Sequence, residues 1–563
     1  MKLFNHYLRV FVALMLFMAA AVMAQNGSVS GTVKAKGNGE ALSGANVAVV
    51  GTTMGAASDA NGKFTITGVP AGSHRVRVSF IGYAETAQTV TVTAGEAATA
   101  NFELSEGGVL GDAIVVSASR RPEKLTDAPA TMAVINARGI DEFPAFNPGE
   151  LAARQKGVDY VRSGVLGSGL NIRGFNSAFN AKNLQMNDAR LATLVATSLP
   201  LGALSTTVKE DIERVELILG PAAALYGPNA HNGLINTLTK DPRSYPGTTV
   251  ALGGGNQSVV SGRFRHANVT SEKFAYKISG EYSRGEEFNF IDSVYVGGRP
   301  FPELELNRDF DSFRGEGALY YTLKPGTDLV FSAGASNSNN IGVTNAGRNL
   351  IVDWKIFYGQ LRFVSPRIFA QAYHNWSKTE DTFAMNQRTQ NYQTLKALGF
   401  SENDALNLSL HKSATLVNNV PVLINREANF KDNSRRFNGE AQYNNTWSGF
   451  TVIAGAQFQR DIADSKHTYL FDQKGNIELN QIGVYGQVEK PFGDTGLKLT
   501  LAGRADDHEL YGTNFIPKGG LLYSKPSGTW RVTYGKGIAS PSILNLSAIF
   551  SAAFCSEMAK ALL

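Results

Sequence analysis

Covalent chemistry needs nucleophiles beside bases, paired acids, clustered metal ligands or phosphate-cradling glycines, and the 563-residue chain offers none of these in usable spacing. It has no His-Glu-x-x-His, no P-loop and no Gly-x-Ser-x-Gly elbow. The eight histidines show no metal-ligand spacing, and a single cysteine, Cys555, excludes a disulfide framework and any cysteine-cluster metal site. Gly253-Gly254-Gly255 lacks the following helix and acid of a dinucleotide fingerprint and reads as a flexible strand end. Asp59-Ala-Asn61-Gly62 looks like half a calcium loop, but the later ligands are missing and a tight turn is the better reading. The sequence thus assigns no catalytic residue, no metal and no cofactor. What remains is recognition. The run Asp112-Ala113-Ile114-Val115-Val116-Ser117-Ala118 lies between the flexible Gly107-Gly108 and the charged stop Arg120-Arg121-Pro122. An exposed strand of this kind cannot bury its apolar side chains alone, so it suits pairing with another sheet edge, or else it is one more core strand.

The elements around this run predict a mainly β protein. Hydrophobic residues at 43% with only 18% charged exclude disorder, and 58 glycines argue against a coiled coil. A net charge of +5 is too diluted to mark a nucleic-acid surface. Lys2 and Arg9 flank the start of an apolar stretch, Val10 to Met23, that ends in Val22-Met23-Ala24, which predicts a signal peptide over 1–24. No later run is long and apolar enough for a membrane helix, so any later crossing must use strands. Residues 26–105 alternate in about seven short strands, as in a small β-sandwich. A linker follows over 106–126, then an α+β domain over 127–242, with a short helix at Asn147-Pro148 to Arg154. From Tyr245 the pattern is alternation without helices: Phe274, Tyr276, Ile278 and Tyr282 share one face, while Lys277, Ser279, Glu281 and Ser283 share the other. Ile482 to Glu489, Leu497 to Arg504 and Trp530 to Tyr534 repeat it, which predicts an antiparallel transmembrane β-barrel over 245–545.

The segment Arg214-Val-Glu-Leu-Ile-Leu-Gly220-Pro221-Ala-Ala-Ala-Leu-Tyr226-Gly227, continuing through Gly233 and Asn236 to Lys240, resembles the end of the plug domain of TonB-dependent outer-membrane receptors. Asn171-Ile172-Arg173-Gly174-Phe175 resembles the earlier plug motif, and residues 112–118 resemble the TonB box. Residues 26–105 resemble the carboxypeptidase-regulatory-like extension of Bacteroidetes receptors. Two positions depart from the family pattern: Leu219 stands where an Arg usually precedes Gly-Pro, and Asp188-Ala189 stands where an Asp-Gly pair is usual. Glycines at 220, 227 and 233 suit tight turns and close approach to a barrel wall, and Arg173 offers a fork of donors to wall carboxylates.

The resemblance implies an energised importer in the Gram-negative outer membrane, with the sandwich and the box on the periplasmic side. A barrel of about 22 strands encloses the plug. An extracellular solute binds loops and plug apex, the box is released, and the inner-membrane partner TonB pairs with it as an added strand. The partners implied are TonB, outer-membrane lipid and a small solute, with no nucleic acid. A glycan importer of the SusC type would carry Gly-Tyr-Gly after the box, whereas here Ser117-Ala-Ser-Arg-Arg121 follows, which favours a ferric siderophore, cobalamin or a similar chelate. A receptor that only signals or adheres is the other alternative. Beyond Tyr245 about thirteen strand-like runs are visible, with a long loop from Lys378 to Asn433 carrying a helical stretch near Tyr392 to Leu410. Residues 546–563 lose the alternation, so the expectation is an incomplete barrel in a truncated or frameshifted product.

Overall fold

The computed structural model describes residues 26–50, 52, 54–80, 83, 86–104, 114–117, 120–146, 148–174, 183–344, 347–417, 420–525 and 528–547. The expected signal peptide, Asp112, Ala113, Ala118, Phe175 and residues 548–563 of the expected off-pattern tail lie outside these residues. Two compact units divide the chain, one around the amino-terminal strands and one holding most of the residues from Ile114 onward.

The first unit holds eight strands: β1 (Asn26–Ala35), β2 (Asn46–Val49), β3 (Gly55–Ala57), β4 (Lys63–Pro70), β5 (Gly72–Ser79), β6 (Thr86–Val92), β7 (Ala97–Thr99) and β8 (Phe102–Leu104). One sheet runs β4-β1-β7 with β8 also on β1, and the other runs β3-β2-β5-β6. Strict alternation explains the packing: Val29, Val33, Val47, Phe64, Ile66, Val76 and Val78 all point into one core. The Asp59 carboxylate accepts from the N–H groups of Asn61 and Lys63, and Gly62 follows at φ 73°, so this segment is a turn.

In the second unit β9 (Ile114–Val115) pairs with β10 (Glu123–Lys124). Then come β11 (Met132–Asn136), β12 (Val158–Arg162), β13 (Ser168–Ile172), β14 (Leu184–Asn187), β15 (Arg190–Leu191), β16 (Ile212–Leu219) and β17 (Gly233–Thr239), with short helices at Ala137–Glu142, Pro148–Ala152 and Ala223–Tyr226. A five-stranded sheet, β11-β16-β17-β14-β15, buries Ile135, Ile212, Val215, Leu217 and Ile235 in one core with Ile172 of β13 and the first two helices.

The large sheet is formed by β18 (Gly247–Gly254), β19 (Val260–Val269), β20 (Phe274–Glu286), then, past a hairpin β21 (Ser293–Val296) and β22 (Arg299–Pro302), β23 (Asp309–Lys324), β24 (Thr327–Thr344), β25 (Gly347–Val364) and β26 (Ile368–Lys378). A short β27 (Phe383–Ala384) pairs with β25, and β28 (Ser413–Val417) and β29 (Val420–Asn425) form a hairpin of their own. The sheet continues through β30 (Arg435–Trp447), β31 (Phe450–Ala463), β32 (Ile477–Pro491), β33 (Leu497–His508), β34 (Gly512–Lys525) and β35 (Gly528–Gly535). Each strand of this path neighbours the next in sequence order apart from the two hairpins and β27.

Its burial is inverted relative to a water-soluble sheet. On β20 the buried residues include Lys277, Ser279, Glu281 and Ser283, while Ile278 and Tyr282 are exposed. On β35 Trp530, Val532 and Tyr534 are exposed at 81%, 75% and 68%. An apolar, aromatic outer face with charge turned inward suits lipid outside and a polar filling inside. The strands alternate direction, so short connections such as Ser448-Gly449, at φ 45° and 77°, fall on one rim. The β20–β23, β26–β30 and β31–β32 connections fall on the other. The 379–434 connection contains the expected helical stretch, but as two helices, Met385–Ala397 and Glu402–Leu408, the first beginning before Tyr392. Gly399 at φ 88° ends the first, and the Ser401 hydroxyl caps the second by accepting from Asp404 N–H.

Candidate functional site

The run read as an exposed strand is described only at residues 114–117, and there its side chains turn partly inward. Val115 and Ser117 are fully buried, and Val115 pairs with Glu123 across the short β9–β10 ladder. Past Val115 the chain turns and its N–H groups need new acceptors. Glu216 on β16 supplies them: its carboxylate accepts from Val116 N at 2.9 Å and Ser117 N at 2.8 Å, and also from Arg214 Nε at 2.8 Å. The Ser117 hydroxyl accepts from Asn236 Nδ2 at 3.0 Å and is hydrogen-bonded to Tyr226. Burial pushes the Tyr226 phenol well above its usual value, so it stays neutral. Two residues singled out from sequence, Asn236 and Tyr226, therefore meet a third, Ser117, more than a hundred positions away. Glu216 is what sequence reading missed. Its signal was an acid with an apolar neighbour on each side, Val215-Glu216-Leu217.

Arg120 continues the attachment outward. Its guanidinium lies over the Tyr226 and Tyr485 rings, at 4.3 and 4.8 Å from their centroids, and pairs with Glu440 of β30. Arg121 reaches Glu489 at 2.5 Å. Immediately before β16, Asp211 is buried between Arg265 at 2.6 Å and Lys277 at 2.7 Å, both from the large sheet. Lys277 Nζ also donates to the carbonyl of Lys240 at 2.9 Å. Lys240 itself donates to Glu210 O. The charged inner face visible in the sequence is thus neutralised by the small domain it faces.

Arg173 does not take the expected role. It stands at φ 61°, is exposed, and its guanidinium lies against Gly220. Among the described residues it makes no ion pair with a wall carboxylate. Arg173-Gly174 forms a left-handed turn, with Arg173 N–H held by Gly157 O at 2.8 Å, and the side chain is taken up against Gly220. Asn171 closes the same turn by donating to Gly174 O and accepting from Asn232 Nδ2, while Ile172 is buried in the core. Gly220 N–H donates to Asn232 O, and Pro221 lies next to Gly535. Gly227, at φ 84°, brings the small-domain backbone close to the wall: a Cβ there would sit 3.1 Å from Arg504 of β33. At Gly233 a Cβ would meet Ile218 O at 2.3 Å, so β16 and β17 pair this closely only with glycine.

The two departures now have addresses. Leu219 packs on the core beside Leu217. Asp188 and Ala189 are the two-residue loop of the β14–β15 hairpin, at φ 45° and 67°, the backbone of a type I′ turn that favours glycine second. Burial disfavours ionised Asp188, yet Arg362, Lys277 and two bonds from Thr239 hold its carboxyl below the usual range. Replacing Ala189 with Gly is expected to stabilise the chain by about 1 kcal/mol, read as a higher calorimetric midpoint. An unchanged or lower midpoint would mean that the hairpin does not carry this strain.

Comparison with known proteins agrees with this geometry. Residues 29–116 match the CarboxypepD_reg-like domain, 124–234 the TonB-dependent receptor plug domain, and 301–556 the TonB-dependent receptor-like β-barrel. The vitamin B12 transporter BtuB of Vibrio vulnificus (strain CMCP6) is 26% identical over 451 residues, covering 77% of this chain and 64% of that protein. Among solved structures, a variant of the ferric enterobactin receptor PfeA of Pseudomonas aeruginosa aligns with a TM-score of 0.54 at 18% identity, over 77% of this chain and 64% of that one. PfeA in complex with BCV-L6 aligns at 0.52 and 16%, over 74% and 64%. The chain thus spans a little under two thirds of the relatives it matches. With three successive domain models in the family's order and the same plug-in-sheet arrangement, the chain belongs to the TonB-dependent receptor family.

Proposed function

We propose that the chain is an outer-membrane receptor that takes up a scarce chelate, a ferric siderophore or cobalamin, and that residues 112–118 are its handle for TonB. The observation that carries this is the hold of plug residues Glu216, Tyr226 and Asn236 on Val116 and Ser117. Those residues sit on or beside β16 and β17, which also carry the wall contacts through Asp211 and Lys240. A ligand that shifts the plug therefore loosens the segment, and the freed strand pairs with a sheet edge of TonB through main-chain bonds. The relatives' printed names, a vitamin B12 transporter and a ferric enterobactin receptor, support the chelate class. Uptake by this route requires no covalent step from the protein. In this reading residues 26–105, 106–126, 127–242 and 245–545 are extension, linker, plug and wall.

The test is a titration of the full chain, in detergent, with cyanocobalamin and with ferric siderophores of catecholate and hydroxamate type. Capture of the TonB carboxy-terminal domain is followed in parallel. The expected result is saturable binding of one chelate class that strengthens TonB capture. No binding across the panel, together with unchanged TonB capture, would overturn the reading.

A further inference from the structure

We propose that Gln360 and Gln371, on the inner face of the wall, are positioning residues that couple the β14–β15 turn to the hold on the 114–117 segment. The inference deepens the reading of residues 112–118 as a handle and rests on it for its purpose, while the coupling itself is measured without TonB or a chelate.

Strand alternation brings the parts together. Gln360 on β25, Gln371 on β26 and Glu440 on β30 take inward positions of neighbouring strands, and Gln371 stands directly opposite Glu440 in the register. All three are buried, at 2%, 6% and 5% exposure. Gln360 Nε2 donates to Asp188 O at 3.0 Å and to Gln371 Oε1 at 2.9 Å. Gln371 Nε2 donates to Ala189 O and to Glu440 Oε2, both at 3.0 Å. The Ser332 hydroxyl donates to Gln360 Oε1 at 3.3 Å. Each amide group thus spends both of its hydrogens. Its direction is fixed too: turned over, either amide would set its oxygen against a carbonyl of the turn, and Gln371 would also set it against a carboxylate. The other oxygen of Glu440, Oε1, accepts from the Tyr485 hydroxyl at 2.7 Å and from Arg120. Arg120 Nη1 also donates to that hydroxyl at 2.9 Å, and the Arg120 carbonyl accepts from Gln442 Nε2 at 3.2 Å. One buried carboxylate is therefore shared between the amide pair that grips the turn and the arginine that follows the segment.

Sharing couples the two. With the turn seated, water is kept from Glu440, and its pairing with Arg120 acts at low dielectric. Withdrawing the turn strips one acceptor from each amide, and a buried N–H left unmet is costly enough to draw water in. Water at Gln371 Nε2 is also water at Glu440 Oε2, which screens the pair with Arg120 and loosens the adjoining segment. Coupling of this kind is reciprocal, so freeing Arg120 must also loosen the turn. A second route runs inside the plug, where β14 pairs with β17 and Met186 stands opposite Asn236. Only the wall route passes through Gln371.

Hydrogen exchange of the full chain in detergent, read in peptides spanning 114–120 and 184–191, tests the coupling. Ala189→Pro cannot keep the φ of 67° and unseats the turn. Alone, it should speed exchange of 114–120 about fivefold or more, the low end of ordinary couplings. In the Gln371→Leu background the same change should act by less than about twofold. From the other end, Arg120→Ala should speed exchange of 184–191 when Gln371 is present and not in the Gln371→Leu background. That measurement leaves the turn unaltered, so it decides the matter if Ala189→Pro fails to fold. Equal acceleration with and without Gln371 would assign the coupling to the plug route and overturn the proposal, as would no acceleration from either end. Capture of TonB is scored separately: its failure refutes the handle and leaves the coupling standing, whereas uncoupled exchange with TonB still captured refutes the coupling alone.

Discussion

Replacing Asp211 with Asn is expected to weaken the hold between plug and wall by about 3–5 kcal/mol, the usual cost of stranding buried charges. Asp211 is 1% exposed, and its partners Arg265 and Lys277 are 3% and 6% exposed. Loss of the carboxylate charge leaves two cations facing each other without water. Lys277 keeps bonds to the neutral acceptors Thr239 Oγ1 and Lys240 O, and the Asp188 carboxylate, shared with Arg362, offsets only part of its charge. The opposite substitution, Lys277→Met, leaves Asp211 still paired with Arg265 at 2.6 Å and should cost clearly less. This ordering separates charge from packing, because removing a lysine side chain deletes more contacts than Asp→Asn does. Hydrogen exchange of β16 and β17 peptides in the full chain reads the difference. Equal protection in both variants would show that the triad adds no net attachment.

The wall was legible because its chemistry is periodic. Trp530-Arg531-Val532-Thr533-Tyr534 alternates in sequence and is exposed at the apolar positions in the structure, and Lys277 and Glu281 fall on the face opposite Ile278 and Tyr282 as spacing predicts. The plug motif was legible as a resemblance, though not its contacts. Arg173 looked like the wall's partner because an arginine fork suits carboxylates, but its direction depends on a left-handed turn that composition does not encode. The wall contacts include those of Arg120, Arg121 and Asp211, whose partners lie far along the chain, Arg120 to Glu440 being 320 residues apart. No local pattern reports such pairs. The helix Met385–Ala397 was placed too late for a related reason. Its sequence, rich in amides, carries no apolar stripe to mark its first turn.

Replacing Glu216 with Ala is expected to free the 114–117 segment. Hydrogen bonds to a charged group are worth roughly 1.5–3 kcal/mol each. Two of them, to Val116 N and Ser117 N, are lost together, but water reaches those N–H groups once the segment leaves. A net of about 2–3 kcal/mol remains, which raises the released fraction roughly 30- to 150-fold. A partner that binds only the released strand has its affinity reduced by the fraction that is held. The TonB carboxy-terminal domain should therefore bind Glu216→Ala at least tenfold more tightly without any solute. Asn236→Ala removes one neutral bond to Ser117 and should shift the same affinity about fivefold. Trypsin gives a reading that needs no partner. Arg120 and Arg121 are clamped by Glu440, Tyr485 and Glu489, and cleavage after Arg120, the bond that Pro122 does not block, should accelerate in Glu216→Ala as the adjoining segment departs. Glu216 also holds Arg214, so plug unfolding is followed alongside. Tighter TonB binding with the plug still folded identifies Glu216 as the clasp. Wild-type affinity and wild-type cleavage in a folded variant would mean that the β9–β10 ladder and Arg120 hold the segment without it.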